Sequence, residues 1–217
     1  MTIRMHDKTI DICETFTSIQ GESTYAGLSC YFIRLAGCNL TCNYCDTPQS
    51  RLPGRPVLIS ELIRACRASG ASIVEITGGE PLIQAGFRKL ALALRDEIGK
   101  TVLIETNGSL NISRIPARVV AIMDIKTPGS GMSAAADMAN LARLRHYDEV
   151  KFVITDRSDY EWSRRLVKKH RLASACHAVL FSPALKRLRP SKLGEWIVED
   201  RLPVRLQIQM HKVAGIR

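Results

Sequence analysis

Cys38-Asn39-Leu40-Thr41-Cys42-Asn43-Tyr44-Cys45 is joined by Ala36-Gly37 to the apolar run Cys30-Tyr31-Phe32-Ile33-Arg34-Leu35, and Thr77-Gly78-Gly79-Glu80-Pro81 closes a later run that begins at Ile73. Short β-branched runs ending in Gly, Pro or polar residues read as strands, mostly buried on both faces. The same pattern recurs at Val102-Leu103-Ile104-Glu105-Thr106, Val119-Val120-Ala121-Ile122-Met123-Asp124-Ile125 and Val150-Lys151-Phe152-Val153-Ile154. It appears again at Ala178-Val179-Leu180-Phe181 and Val204-Arg205-Leu206-Gln207-Ile208-Gln209. Between several of these runs lie stretches with helical spacing, at 59–68, 83–97, 133–145 and 160–170. Alternation of strand and helix predicts an α/β fold with a parallel sheet. Polar residues gather where the predicted strands end, which is where such sheets carry their active sites. About six βα units are too few for an eight-fold TIM barrel, so the expectation is a partial, open TIM-like barrel with the cysteine loop after an early strand.

The 217 residues suit a single domain spanning 1–217, and no internal repeat or linker interrupts them. The opening residues lead into a strand-like segment without an apolar signal region, and no apolar run approaches the length of a membrane span, so a cytoplasmic protein without membrane association is expected. Seven cysteines, three of them within eight residues, fit a reduced compartment and a metal site better than a disulfide framework. The net charge of +10 is spread over pairs such as Arg164-Arg165, Lys168-Lys169 and Lys186-Arg187. Without a recognition motif, that distribution describes solvated helix faces, and no nucleic-acid partner is expected.

Three thiolates at C-x3-C-x2-C can hold a [4Fe–4S] cubane from one loop and leave its fourth iron without a protein ligand. A zinc site is the competing reading of the spacing, with Cys30 or a distant His as a fourth ligand. The cysteine loop together with the Gly78-Gly79-Glu80-Pro81 turn resembles the radical S-adenosylmethionine superfamily. That resemblance implies that Cys38, Cys42 and Cys45 bind the cluster, and that Gly78, Gly79 and Glu80 contact the amino group of S-adenosylmethionine through carbonyl or carboxylate oxygens.

Further segments narrow the resemblance: Ser18-Ile19-Gln20-Gly21-Glu22-Ser23, Gly27, Cys45-Asp46-Thr47, Glu105-Thr106-Asn107-Gly108 and Gln207-Ile208-Gln209-Met210-His211-Lys212 together resemble the 7-carboxy-7-deazaguanine synthases over nearly the whole chain. The family implies a substrate, 6-carboxy-5,6,7,8-tetrahydropterin, rearranged to 7-carboxy-7-deazaguanine with loss of ammonia on the route to queuosine and other 7-deazapurines. It further implies Mg²⁺ held with the help of Thr47, an external one-electron reductant such as flavodoxin, and a homodimer. Glu105, Asn107, Asp124, Lys126 and Ser182 are implied as further S-adenosylmethionine contacts. Ile19, Gln20, Glu22, Arg34, Thr77, His211 and Arg217 are implied as substrate contacts.

The residue chemistry agrees with several of these roles. An amide and a carboxylate on a Gly-containing loop suit the donors and acceptors of an aminopyrimidinone edge. A guanidinium in an apolar strand needs a partner, which for Arg34 is either the substrate carboxylate or an internal carboxylate. His211 reads either as a substrate contact or as a satisfied structural histidine, and Thr47 as either a magnesium ligand or a turn residue. Cys13, Cys30, Cys66 and Cys176 read as small buried hydrophobes, and Trp162 and Trp196 as packing residues. A glycyl-radical-enzyme activase shares the cysteines and the GGEP turn, and a zinc-stabilised RNA-binding module is the alternative outside enzymology. The family usually has Gly where this chain has Ser23, which would strain Ser23 if the loop needs positive φ.

Overall fold

The computed structural model describes residues 8–216. Its strands form one nine-stranded sheet in the order β3-β1-β2-β4-β5-β6-β7-β8-β9, open between β3 and β9. β1 (Thr9–Ile19) lies antiparallel between β2 (Ser29–Leu35) and β3 (Arg55–Leu58). From β2 onward every neighbour is parallel: β4 (Ile73–Gly78), β5 (Thr101–Thr106), β6 (Val120–Asp124), β7 (Glu149–Ile154), β8 (Ala178–Pro183) and the two-residue β9 (Arg205–Leu206). The open, partial barrel matches the expectation.

The convex side carries the main core. Ile33, Leu35, Val74, Ile76, Val102, Ile104, Ala121, Met123, Phe152 and Phe181 point outward from the barrel, under helices that include α1 (Ile59–Ala68), α2 (Phe87–Ala93), α3 (Arg157–Lys169), the short α4 (Leu172–Ala175) and α5 (Pro190–Glu199). Because side chains alternate along a strand, the intervening residues face the concave side. There Cys30, Phe32, Ile73, Leu103, Val120 and Ile122 form a second apolar cluster, with Phe16, Tyr25 and Tyr147 packed on it. Further along the same strands toward their carboxyl ends, the inward positions turn polar: Arg34, Thr77, Glu105, Asp124, Lys151 and Ser182. One face of one sheet therefore changes from an apolar floor to a charged site within two strand steps.

The helix expected over 133–145 is absent; the segment forms 3-10 turns at Ser133–Ala135 and Met138–Arg143. Side-chain hydrogen bonding competes with the helix here. Asp137 caps the second turn by accepting from Ala139 N, and Asn140 donates to the carbonyls of Gly108 and Leu110 while accepting from Ile112 N. The stretch expected as one helix over 83–97 divides into a 3-10 turn (Pro81–Ile83), α2 and a π-helical turn (Leu94–Ile98) that Gly99 ends at φ 69°. The strand expected at 204–209 pairs only at Arg205–Leu206; residues 207–209 turn back toward β1 and lead into a short helix, α6 (Met210–Ala214). Cys30, Cys66 and Cys176 are buried as expected, whereas Cys13 is half-buried at the irregular step of β1 against β2. Trp162 and Trp196 pack on the core.

Two glycines set how closely the end of β4 approaches the cysteine loop. A Cβ on Gly78, which has φ 133°, would lie 2.1 Å from Leu35 O, and one on Gly79 would lie 1.9 Å from Gly37 O and 2.8 Å from Cys38 Cβ. Backbone bonds hold the contact: Gly79 N donates to Leu35 O at 3.2 Å and Glu80 N to Gly37 O at 2.9 Å. Gly79→Ala must push the turn off the cysteine loop; we expect a loss of roughly 1–3 kcal/mol, read by urea melts, with iron retention per chain after anaerobic reconstitution lowered in parallel.

Candidate active site

The polar ends of the strands surround a cavity of about 590 Å³. Cys38 and Cys42 are half-buried and Cys45 exposed, all three on its wall. Gly37 turns the chain out of β2 at φ 87°, Asn43 N donates to Ser130 O at 3.0 Å, and Cys45 N to Cys42 O at 3.3 Å. Burial raises the pKa of the Cys42 thiol while nearby Lys126 pulls it down. Cys30, the alternative fourth zinc ligand, sits fully buried at the start of β2 in the apolar floor.

Gly78 and Gly79 line the cavity beside the cysteines, but Glu80 stands behind them. Fully buried, its carboxylate accepts from Leu82 N at 3.0 Å, Thr106 Oγ1 at 2.8 Å and Asn107 N at 2.6 Å. These bonds fasten the glycine turn to the end of β5. Asn107 in turn reaches the cysteine loop, its Nδ2 donating to Asn39 Oδ1 at 3.1 Å.

Lys151, in the middle of β7, is the centre of the charged layer and is 4% exposed. It donates to Glu22 Oε2 at 2.8 Å and to Glu105, and lies 3.6 Å from Asp124 Oδ2. Lys126 Nζ donates to Asp124 Oδ2 at 2.8 Å, and Thr77 Oγ1 to Glu105 Oε2 at 3.0 Å. Burial opposes the charge of Lys151, but Glu105, Glu22 and Asp124 raise its pKa well above the ordinary lysine value. Burial likewise opposes ionisation of Glu105, and Lys151 outweighs it, holding that carboxyl down at about 2. Glu75, one strand step deeper than Thr77, has no such cation of its own. Burial, with Glu105 and Glu22 adding to it, pushes its carboxyl up to about 8.

The segment 20–24 and the C-terminal residues clasp each other over this layer. Gln209 Nε2 donates to Glu22 Oε1 at 2.7 Å, Ser23 N to Gln207 Oε1 at 2.8 Å, and Met210 N to Gly21 O at 2.9 Å. His211 packs so tightly on Gly21 that a Cβ there would lie 2.1 Å from its Nδ1. Ser23 adopts φ 63°, the left-handed conformation anticipated for a glycine at this position. Its Oγ accepts from Tyr25 N at 3.1 Å, which offsets part of the strain.

Apart from Glu80, every site residue predicted from the sequence and lying among the described residues lines the cavity, Ile19 and Ser182 included; Arg217 lies outside those residues. Arg34 also lines it and pairs internally as well, its Nε donating to Glu14 Oε1 at 2.9 Å below the ring of Phe16. Thr47 Oγ1 donates to Asp46 Oδ1 at 3.1 Å, and Lys212 Nζ to Asp46 Oδ2 at 2.5 Å. Sequence reasoning missed Lys151, Glu75, Asp46 and the stacked pair Phe16 and Phe32, whose ring centroids are 4.9 Å apart. For Lys151 and Glu75 a signal existed: each is a lone ionisable residue inside an apolar strand.

The donor set fits a cluster and a nucleoside cofactor. Three soft thiols on one loop suit iron–sulfur ligation. Among the described residues no three His, Cys, Asp or Glu side chains converge as a ready-made metal site. Asp124 Oδ1 is buried at the cavity wall without a hydrogen-bond partner among the described residues, an acceptor of the kind that amino or hydroxyl groups satisfy.

Comparison with known proteins agrees. Residues 32–124 match the family model of the radical SAM superfamily. The chain is 42% identical to the 7-carboxy-7-deazaguanine synthase of Chlorobaculum tepidum, over 94% of this chain and 93% of that protein. It is 38% identical to the Koribacter versatilis protein of the same name, with 94% and 96% covered, and 37% identical to that of Methanospirillum hungatei, with 94% and 85% covered. The crystal structure of QueE from Escherichia coli superposes with a TM-score of 0.74 at 22% identity, covering 94% of this chain and 95% of that one, and shares the fold.

The charge layer governs stability and its pH dependence. Lys151→Met leaves Glu22, Glu105 and Asp124 around an uncharged side chain, and removing one partner of a buried pair costs about 3–5 kcal/mol; calorimetric melts at pH 7 read that loss. The pH dependence has two limbs. The folded carboxyl of Glu105 sits at about 2, below its usual 4.5, so its stabilisation is complete above pH 4.5 and disappears as pH falls toward 2. The folded carboxyl of Glu75 sits at about 8, above its usual 4.5, so the native state binds the extra proton and stability declines as pH rises from 4.5 to 8. Urea melts across that range should show the decline in the native sequence and a flatter profile in Glu75→Gln.

Proposed function

The chain belongs to the 7-carboxy-7-deazaguanine synthases of the radical S-adenosylmethionine superfamily, and we propose that it converts 6-carboxy-5,6,7,8-tetrahydropterin to 7-carboxy-7-deazaguanine with loss of ammonia, in the biosynthesis of queuosine and related 7-deazapurines. The observation that carries this reading is the convergence on one cavity of the three thiols, the Gly78-Gly79 turn and the Glu22–Lys151 layer. Cys38, Cys42 and Cys45 would hold the cluster. When bound, the cluster and S-adenosylmethionine supply a carbon radical able to abstract hydrogen from the substrate.

The chain's own residues then bind and orient. The carbonyls of the Gly78-Gly79 turn suit the ammonium of S-adenosylmethionine, and Glu80 keeps that turn against the cysteine loop through its three bonds. Asn107 and Asp124, with Lys126 and Ser182, would take the cofactor's remaining polar groups. Arg34 would take the substrate carboxylate; Glu14 on its Nε fixes the plane of the guanidinium. Phe16 and Phe32 offer apolar faces for the pterin rings, and Thr77, Glu105 and Lys151 border them. His211 and Gln209 cover the loop at 20–22 and limit water entry from that side. Thr47, with Asp46 beside it, gives Mg²⁺ a hydroxyl and a carboxylate, to be completed by substrate oxygens and water.

The reaction needs an external one-electron donor, for which flavodoxin is our candidate, and we take the working form to be a cytoplasmic homodimer. No helix among the described residues is long and apolar enough to cross a membrane.

Anaerobically reconstituted protein should be brown, bleach on reduction, and turn over the carboxytetrahydropterin to the deazaguanine acid with Mg²⁺ present. Colourless, zinc-replete protein would sink the reading, as would 5′-deoxyadenosine formation without deazaguanine. Cys42→Ala should abolish both the colour and the turnover while the far-ultraviolet circular dichroism stays native.

A further inference from the structure

Among the described residues, Glu75 is the one carboxyl of the cavity that the roles above leave unused. It sits on β4 in register with Phe32 on one side and Leu103 on the other, within the apolar floor rather than the charged layer. It is 4% exposed and lines the cavity. The stacked rings of Phe16 and Phe32 and the side chain of Ile122 line the same cavity, a setting that receives a flat heterocycle edge-on to a single polar group.

The two loop residues expected to read the pterin are already engaged. Gln20 Oε1 accepts from Glu22 N at 3.0 Å, and Gln20 Nε2 donates to Glu75 Oε2. Both oxygens of Glu22 are taken, by Lys151 Nζ and by Gln209 Nε2. The Gln20 amide thus orients the Glu75 carboxyl instead of meeting the substrate itself. Resting on the function proposed above, we propose that Glu75 is the specificity residue for the pyrimidinone ring: its carboxyl pairs with the lactam edge, accepting from the ring N3–H and donating to the C4 carbonyl.

That pairing requires the proton to sit on Oε1, because Oε2 accepts from Gln20. The groups around Glu75 favour it. Lys151 on β7 pulls against the proton but is committed to Glu105, Glu22 and Asp124, and burial with the repulsion from Glu105 on β5 and Glu22 on the loop outweighs it; Cys30 on β2 is a buried thiol. A neutral carboxyl carries one donor beside one acceptor, the complement of a lactam. An ionised one carries acceptors only and would instead select the paired N–H groups of the aminopyrimidine edge.

The test uses reconstituted holoenzyme and measures the KM for carboxytetrahydropterin, together with its binding by anaerobic calorimetry, from pH 6.5 to 9. Glu75→Gln keeps one donor and one acceptor and should stay within about threefold of the native enzyme, with an affinity flat across this range. Glu75→Leu loses both bonds and should weaken binding about 10- to 100-fold, while its melting temperature holds or rises because the floor is apolar. Native affinity should fall above pH 8. Native-like binding by Glu75→Leu would overturn the assignment. So would a Glu75→Gln as weak as the Leu variant, or native affinity that climbs with pH, since each demands an ionised carboxylate. Should Glu75→Leu fail to fold, the native and Gln profiles alone still separate these outcomes. A native enzyme that neither binds nor converts the pterin defeats the proposed function itself, whereas normal native turnover with an unaffected Leu variant defeats only the role of Glu75.

Discussion

One ammonium organises the interior of this barrel. Lys151 Nζ stands among carboxylates delivered by the 20–22 loop, β5 and β6, and it touches or approaches all three. Burying that many charges is tolerable only because each carboxylate has a cation or hydrogen-bond donors within reach. Lys126 and Gln209 complete the set on Asp124 and Glu22. The consequence is positional. Loop 20–22, the ends of three strands and the C-terminal segment are tied to one point, so the site's walls form without a closed barrel around them.

The open edge explains why the C-terminal segment matters. With β9 reduced to two residues, the sheet stops short of enclosing the cavity, and 207–211 crosses from β9 back to the loop that follows β1. Gln207, Gln209 and His211 each meet one residue of the Gly21-Glu22-Ser23 stretch. The two segments that stood out separately in the sequence are thus halves of one structure. Ser23 keeps its left-handed φ because Gln207 holds its N–H and Tyr25 N binds its hydroxyl.

Much of this was legible in the chain. The strands from β2 to β8 announced themselves as β-branched runs, and their polar ends marked the cavity because a parallel sheet gathers its carboxyl ends on one side. β1 was harder: beyond Ile10 and Ile12 its residues are half-buried or exposed, and an antiparallel strand near the open edge does not carry a continuous apolar run. The segment 133–145 misled because helical spacing of apolar residues says nothing of Asn140, whose side chain spends itself on the 108–112 backbone. Glu80 shows a related limit. Its type suits an ammonium, but only the fold reveals that its oxygens are already claimed by Leu82, Thr106 and Asn107.

Lys151 and Glu75 show what a strand pattern can still yield when read for its exceptions. An ionisable residue in the middle of a buried run is costly, and it persists where partners or ligands compensate. Lys151 has its compensation within the chain, in carboxylates from distant strands that no local window reveals. Glu75 does not: its one side-chain donor is an amide, Glu105 and Glu22 repel its charge more than Lys151 attracts it, and its strand neighbour Phe32 belongs to an aromatic stack. Such a group lowers its energy by keeping a proton, and a buried carboxyl that keeps its proton can both donate and accept. The same arrangement that makes Glu75 a burden on the fold as pH rises makes it the group in this cavity best matched to a neutral heterocyclic edge.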